Sequence, residues 1–264
     1  MSTMTLTARP ATIRDSLTML RRDLRHAQRY PLMTVATVMM PLLMMLLFGF
    51  VFGNAMSPLT GSGNYLNYLT PGIVLMAIGA ASGSAVAIKV CSDMQQGIIA
   101  RFRTMSISRS SVLIGQVLGG LLRTLVSVTL IILLALLMGF RPTAGPGEWL
   151  AVFGLVTLVI VAFTWLAVAI GLVAKTEGGA NTAAFPLQFL PFLSSAFIPP
   201  AAMSDGVALV AQYQPFTPIV DTLRGLLTGT PIGYSWLIAI AWCLGLAIFG
   251  AVMAVRLYNR DSSQ

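Results

Sequence analysis

Six apolar runs separated by short polar stretches dominate the pattern of this chain. The runs cover residues 32–52, 69–88, 112–140, 149–174, 181–198 and 234–255. About 20 apolar residues are enough for a helix to cross the hydrocarbon core of a bilayer. The pattern therefore predicts an all-α membrane protein with about six transmembrane helices.

Two parts of this pattern need a separate interpretation. Residues 55–68 are uncharged and rich in Gly, Ser, Asn and Pro, which predicts a loop between the first two spans. The third run is too long for one span and contains Arg123. If this span begins near Gly119, the arginine lies about 6 Å from its start and reaches the headgroups. We therefore expect the first part of the run to project from the bilayer.

The first 31 residues are polar and basic. Ile13, Leu17, Leu20 and Leu24 recur at helical spacing among six arginines. This indicates an amphipathic helix lying at the membrane interface, and the alternative is a disordered basic tail. The expected organisation is an N-terminal cytoplasmic segment at 1–31, a six-span domain at 32–256 and a cytoplasmic tail at 257–264.

Composition and charge agree with a membrane protein and predict its orientation. Of the 264 residues, 56% are hydrophobic and 9% are charged, far below the roughly 25% charged residues of soluble domains. With the N-terminus inside, thirteen Lys and Arg fall in cytoplasmic segments and two in outer ones. The positive-inside rule then places both termini in the cytoplasm of a cell-membrane protein. The basic residues lie between apolar blocks, so we expect lipid contact and no nucleic acid.

The sequence excludes several kinds of chemistry. A P-loop is absent, because residues 171–176 lack the glycine before the lysine and the spacing that cradles phosphates. One histidine and two distant cysteines make no metal-ligand cluster. No acidic residue lies in the middle of an apolar run, which argues against a carrier coupled to protons or sodium. We expect a transport subunit that is not an enzyme and binds no cofactor itself.

Residues 92–105 combine charge with an apolar face. The acidic side chain of Asp93 suits the start of a helix, where the dipole favours negative charge. The apolar face would be formed by Met94, Ile98, Phe102 and Met105. Such a short helix either docks into a groove of a partner or lies on lipid headgroups.

Two segments resemble the permeases of type-2 ABC exporters. In the coupling helix of that family the matching residues are Asp93, Gly97, Arg101, Ser108 and Arg109, with Gln96 in place of the usual Glu and Ser106 in place of the frequent Pro. The outer-face signature of the family is similar to residues 197–199 and 214–229. Its candidate cap residues are Pro199, Pro215, Pro218, Asp221 and Arg224. Asp221 and Arg224 are three residues apart and could pair on one helix face.

The resemblance, closest to daunorubicin-type drug-resistance permeases, implies a partner arrangement. Two permease chains would each bind a separate cytoplasmic ABC ATPase that holds ATP and Mg²⁺. The residues expected to couple with the ATPase are Asp93, Met94, Gly97, Ile98, Arg101, Phe102 and Met105. An amphipathic or lipophilic substrate would leave the cell past facing spans, where the candidate contacts are Met76, Phe185, Gln188 and Phe192.

Three alternatives stay open at this point. A permease for polysaccharide or lipid-linked glycan export would have the same architecture. A secondary carrier would work without an ATPase. A membrane anchor that transports nothing would show no ATP-dependent flux.

Overall fold

The computed structural model describes residues 31–60, 64–97 and 109–260, and every regular element in these ranges is helical. The α-helices are α1 (Pro31–Leu46), α2 (Gly53–Thr60), α3 (Tyr65–Ile78), α4 (Ala85–Gln95), α5 (Arg109–Met138), α6 (Pro146–Val173), α7 (Glu177–Phe189), α8 (Asp205–Tyr213), α9 (Phe216–Thr228) and α10 (Ser235–Arg260). The π-helical segment Leu47–Val51 extends α1, and a second one, Gly79–Ser84, joins α3 to α4. Two 3-10 turns, Leu190–Leu193 and Pro200–Ala202, lie between α7 and α8.

Four helices of the described chain are long and apolar enough to cross a membrane. They are Tyr65–Gln95, Leu113–Met138, Pro146–Val173 and Ser235–Tyr258. A shorter apolar helix, Val38–Val51, corresponds to the first run. The prediction of an all-helical integral membrane protein is confirmed, and four of the six predicted runs form long helices.

The fifth predicted run does not form one continuous span. Its helix, α7, ends at Phe189 and is followed by the 3-10 turn Leu190–Leu193. Pro186 and Pro191 lie on either side of this boundary. Proline lacks an amide hydrogen and its ring clashes with the preceding turn, so two prolines five residues apart end the regular helix here.

The predicted loop at residues 55–68 is wrong at both ends, since residues up to Thr60 belong to α2. The second long helix begins at Tyr65, and Asn64 accepts a hydrogen bond from the Leu66 amide at 3.0 Å as its N-cap. Tyr65, Leu66 and Tyr68 are all buried. Asn64, one of the residues that suggest a loop, is a helix cap, and the hydroxyls of Tyr65 and Tyr68 have partners inside the protein.

The long third run forms one helix without a break at Gly119. Thirty residues of α5 span about 45 Å, against about 30 Å of hydrocarbon. A helix of this length extends beyond the bilayer or tilts, as its run length suggested. Arg123 is half-buried on this helix.

We name the two ends of the helical bundle after the ends of the second long helix, the Tyr65 end and the Gln95 end. A large core cluster, including Leu69, Phe140 and Ile219, occupies the Tyr65 end and the middle. A smaller cluster, which includes Cys91 and Tyr258, fills the Gln95 end. The helices α6 and α10 both run from the Tyr65 end to the Gln95 end, and α5 runs in the opposite direction.

Close helix contacts rely on glycines at three crossings. A Cβ added to Gly171 of α6 would lie 2.6 Å from the Ala87 carbonyl oxygen of α4. One added to Gly250 of α10 would lie 2.7 Å from the Leu166 amide nitrogen. Gly79 and Gly83 also pack closely, both against Leu187 of α7. Without side chains at these positions the helix backbones approach to contact distance, as helices in lipid often do.

Candidate functional site

Arg224 is the centre of a polar network at the Tyr65 end. Its Nη1 donates to Asp221 Oδ1 at 2.8 Å, and its guanidinium carbon lies 3.7 Å from the centroid of the Tyr68 ring. The Arg224 side chain is 11% exposed and that of Asp221 is 36% exposed. The local pairing predicted from their three-residue spacing is confirmed.

The same network fixes the segment that follows α7. Ser195 Oγ donates to Asp221 Oδ1 at 2.6 Å, and Arg224 Nη2 donates to the Ser195 carbonyl oxygen at 2.7 Å. The Tyr68 hydroxyl donates to this carbonyl at 2.8 Å, and the Tyr65 hydroxyl donates to the Phe197 carbonyl at 2.9 Å. These bonds join residues 194–198 and α9 into one unit, which we call the Tyr65-end cap, and tie α3 to it.

The prolines of the outer signature shape this cap. Pro215 immediately precedes α9 and Pro218 lies in its first turn, where no intrahelical amide bond is lost. Pro199 comes directly before the 3-10 turn Pro200–Ala202. Gln214 Nε2 donates to the Leu193 carbonyl and so ties the start of α9 to the end of the turn after α7.

A cleft of about 440 Å³ opens beside the ion pair. It is lined by Asn67, Tyr68, Asp221, Arg224, Thr228, Thr230, Pro231 and Ser235. Most of these side chains are polar, and the two charges among them pair with each other. The cleft therefore belongs to a polar rim at the Tyr65 end and has little net charge.

Six phenylalanines form a continuous series of ring contacts, which we call the aromatic ladder. Its members in contact order are Phe185, Phe189, Phe192, Phe197, Phe48 and Phe52. Adjacent ring centroids are 3.8, 5.7, 4.5, 5.0 and 5.5 Å apart. The Phe185 and Phe189 rings are nearly parallel, at 12°, and Phe185 is 47% exposed. The ladder leads from the exposed side of α7 to the Tyr65-end cap.

The Gln95 end has its own set of contacts. Gln95 Nε2 donates to the Lys175 carbonyl at 2.8 Å, and Gln116 Nε2 donates to Asp93 Oδ2 at 2.7 Å. Cys91 Sγ lies 3.3 Å from the Ala174 carbonyl oxygen and donates to it. These bonds join the end of α4 to α5 and to the residues that follow α6.

A family comparison identifies the class of the protein. The family described as ABC-2 type transporter matches residues 15–228. The chain belongs to this family. It is an ABC-2 permease, the membrane component of a transport system.

Relatives of this ABC-2 permease cover nearly its whole length. It is 29% identical to the daunorubicin resistance ABC transporter permease protein of Streptomyces coeruleorubidus, over 97% of this chain and 90% of the relative. It is 25% identical to a protein of Mycobacterium tuberculosis named as a doxorubicin resistance ABC transporter permease, over 90% and 86% of the two chains. A transport permease named ycf38 in Pyropia yezoensis is 27% identical over 89% of this chain and 83% of its own.

The segment expected to contact the ATPase does not begin with a helix at Asp93. Asp93 and Met94 lie in the last turn of α4, which continues to Gln95. Gly97 has a φ of 66°, a left-handed conformation that ends the helix and that glycine adopts without strain. The acidic side chain suggested a helix start, but its partner is Gln116 of α5. Ile98, Arg101, Phe102 and Met105 lie outside the described residues.

The expected substrate contacts of the permease fall into two groups. Phe185 and Phe192 belong to the aromatic ladder, and Gln188 lies half-buried on the same helix. Met76 is fully buried in the core of the chain, so it presents no surface to a ligand in this conformation. All residues of α3 from Tyr68 to Ile78 are buried, whichever face they lie on, and an apolar run does not reveal this.

Sequence reasoning missed several residues of this site. The sequence pattern places Tyr65 and Tyr68 in a loop and Ser195 in a span. Two tyrosines three residues apart share one helix face, and this spacing is the one signal that could have paired them. In the described part of the permease, no group of three His, Cys, Asp or Glu side chains could hold a metal ion.

Proposed function

We propose that this chain is the permease subunit of an ATP-driven exporter of lipophilic, aromatic compounds. A separate ABC ATPase binds and hydrolyses ATP with Mg²⁺, and this chain provides the path through the membrane. The observation that carries the proposal is the aromatic ladder, which runs from the exposed Phe185 ring to the Tyr65-end cap.

The ladder suits a ligand that is apolar and flat. Ring pairs in offset or edge contact gain about 0.5–1.5 kcal/mol beyond the burial of their area. The exposed face of Phe185 continues a parallel stack, so an aromatic ligand would extend contacts already present in the protein. Relatives named for resistance to daunorubicin and doxorubicin support a drug-like substrate.

The proposed orientation of the chain in the membrane places the Gln95 end in the cytoplasm. Lys175 lies at this end, and Arg256 is two residues from Tyr258 of the Gln95-end core. Both termini would then be cytoplasmic, in line with the positive-inside rule. The residues after Gly97 would contact the ATPase, and the Tyr65-end cap would face the exterior.

A second permease chain is part of the proposal. The helix Val38–Val51 carries exposed apolar side chains, among them Leu43, Leu47 and Phe50. The aromatic ladder is exposed at both ends, at Phe185 on α7 and at Phe52, which follows the helix Val38–Val51. Two chains that face each other across these surfaces would enclose the ladder and exclude lipid from it.

Transport by the purified complex tests this function. The permease and its ATPase are reconstituted in vesicles, and ATP-dependent movement of ethidium, a flat aromatic dye, is measured. An ATPase whose P-loop lysine is replaced provides the control without hydrolysis. Flux that persists without an ATPase and follows a proton gradient would instead identify a secondary carrier. ATPase stimulation by a lipid-linked glycan, with none by the dye, would favour glycan export.

A matched pair of variants tests the ladder itself. Phe185→Leu keeps an apolar side chain and removes the ring, so we expect the KM for ethidium to rise roughly 3- to 10-fold. Phe153→Leu is the control, because Phe153 is an exposed phenylalanine of α6 outside the ladder. Equal KM values for the two variants would contradict the role of the ladder.

A further inference from the structure

The second long helix departs from α geometry near its middle. In Gly79–Ser84 the hydrogen-bonded turns are one residue wider, and the Ala85 amide bonds to the Ala80 carbonyl five residues earlier. The segment consists of glycine, alanine and serine alone. Such π turns interrupt the regular ladder of bonds, allow a helix to bend, and occur often at functional positions.

On one side of this π segment, α3 is fixed to the Tyr65-end cap. The hydroxyls of Tyr65 and Tyr68 donate to backbone carbonyls of the cap, and Arg224 covers the Tyr68 ring. Gly72 packs so closely on Ala196 that an added Cβ would lie 2.6 Å from the Ala196 Cβ. Because of these contacts, α3 moves with the cap.

On the other side, α4 is fixed to the Gln95 end. Its hydrogen bonds reach Gln116 of α5 and the Lys175 carbonyl, as described above. The close contact of Gly171 with Ala87 adds a backbone crossing to α6. A force applied to the residues after Gly97 would therefore move α4 together with these neighbours.

The π segment itself carries no large side chain where α7 crosses it. Gly79 lies directly against the Leu187 carbonyl oxygen and the Gln188 Cα. A Cβ added to Gly83 would lie 3.2 Å from the Leu187 Cβ. Shear between packed helices needs surfaces whose side chains do not interlock, and the surface of the π segment at this crossing is of that kind.

The hydroxyl of Ser84, at the end of the segment, is a hydrogen-bond donor without an acceptor among the described residues. Thr70, Ser82, Thr164 and Thr222 each donate to the carbonyl four residues earlier, at 2.6 to 2.7 Å. Ser84 is 6% exposed, and its hydroxyl has no partner in the described chain. The carbonyl four residues before it, that of Ala80, accepts from the Ala85 amide. A bend that lengthens this bond would let the Ser84 hydroxyl replace it.

We propose that the π segment Gly79–Ser84 is the hinge of the transport cycle. In each cycle α4 tilts relative to α3. The end of the π segment next to α4, at Gly83, slides against Leu187 of α7. The hinge passes motion of the Gln95 end to the helix that carries the aromatic ladder. This inference rests on the proposed function, since ATP-driven coupling supplies the force.

A reversible cross-link tests the sliding step. Gly83→Cys and Leu187→Cys are combined in a chain whose native Cys91 and Cys243 are replaced by alanine. The two Cβ positions are 3.2 Å apart, close to the roughly 3.5–4.5 Å of disulfides. Replacing Leu187 with cysteine also removes its Cδ1 atom, which a Cβ at position 83 would otherwise meet at 3.2 Å. Transport by the permease–ATPase complex is measured after oxidation and again after reduction, with each single cysteine variant as the control.

The expected result is a loss of transport of at least about ten-fold on oxidation, with recovery on reduction, because a gating motion is blocked. Equal transport in the oxidised and reduced states would overturn the hinge. The unsubstituted complex distinguishes the two proposals, since the proposed function fails if that complex shows no ATP-dependent transport.

Deletion of Ala81 provides a second test that needs no oxidation. A turn closed five residues apart holds one residue more than an α turn, so this deletion gives a plain α-helix with both halves in their original phase. We expect a complex that assembles with the ATPase and transports at least about ten-fold more slowly. Transport at the unsubstituted rate would overturn the hinge. If the reduced double-cysteine chain is inactive, this deletion decides the question.

Discussion

Arg224 combines three interactions in one side chain. The planar guanidinium lies over the Tyr68 ring, pairs with Asp221 and donates to the Ser195 carbonyl. A lysine could keep the charge but has no flat group that can stack and donate in several directions at once. The shape of arginine is therefore as important at this position as its charge.

We expect Arg224→Lys to destabilise the folded protein by about 1–3 kcal/mol, since the Ser195 carbonyl loses one of its two donors and the Tyr68 ring loses the planar guanidinium. Tyr68→Phe is the control, because it keeps the ring and removes one hydrogen bond of the hydroxyl. Thermal unfolding in lipid nanodiscs gives the order of stability. A midpoint for Arg224→Lys at or above that of Tyr68→Phe would contradict this account.

Two glycines provide a sharp contrast at the same scale. A Cβ at Gly79 would overlap the Leu187 carbonyl oxygen and lie 2.8 Å from the Gln188 Cα, and backbone atoms cannot turn aside. We expect Gly79→Ala to cost about 1–3 kcal/mol of stability through overpacking. At Gly154 of α6, nothing among the described residues lies within 4 Å of the added atom. Gly154→Ala should be neutral or stabilising by up to about 1 kcal/mol, and thermal unfolding of both variants checks the difference.

At the scale of elements, regular hydrophobic runs predicted long helices well and their interruptions poorly. The second and fourth runs form the helices Tyr65–Gln95 and Pro146–Val173, close to their predicted positions. The π segment has no signature of its own in an apolar run, since its glycines and alanines also suit helix packing. The prolines near Phe189 interrupt the fifth run, where hydrophobicity alone predicts one continuous span.

The end of α4 supports a prediction about coupling to the ATPase. Gly97 adopts a φ of 66°, and an added side chain there would meet nothing within 4 Å in the described chain. Gly97→Val should therefore act through backbone strain, of about 1–2 kcal/mol, and redirect the residues that follow. We expect stimulation of the ATPase by the permease to fall while the protein still inserts in the membrane. Gly206→Ala, at an open position of α8, should leave stimulation unchanged.

At the scale of the whole molecule, the two ends of the bundle differ in chemistry. The Tyr65 end has a neutral polar cap in which the charges pair with each other. The Gln95 end carries Lys175 and, on α10, Arg256 and Arg260. This asymmetry is the structural counterpart of the charge distribution along the chain.

Labelling in intact cells tests the resulting orientation. A cysteine introduced by Thr230→Cys, at the exposed Tyr65 end, should react with a thiol reagent that does not cross the membrane. The matched variant Gln96→Cys, exposed at the other end, should react after the cells are opened. The native cysteines are both buried. Labelling of Gln96→Cys in intact cells would contradict the proposed orientation and place the Gln95 end outside the cell.

The sequence by itself determined that this protein lies in a lipid bilayer and that it is helical. It also determined the family resemblance and the local pair of Asp221 with Arg224. Each of these depends on composition or on neighbours along one helix. The tertiary structure decided that Met76 is buried, that Phe185 is exposed and that Ser195 and Tyr68 meet Arg224. In a bilayer, lipid-facing and core-facing positions are equally apolar, so hydrophobicity places a side chain outside water without revealing which neighbour covers it. Packing between helices supplies that missing information.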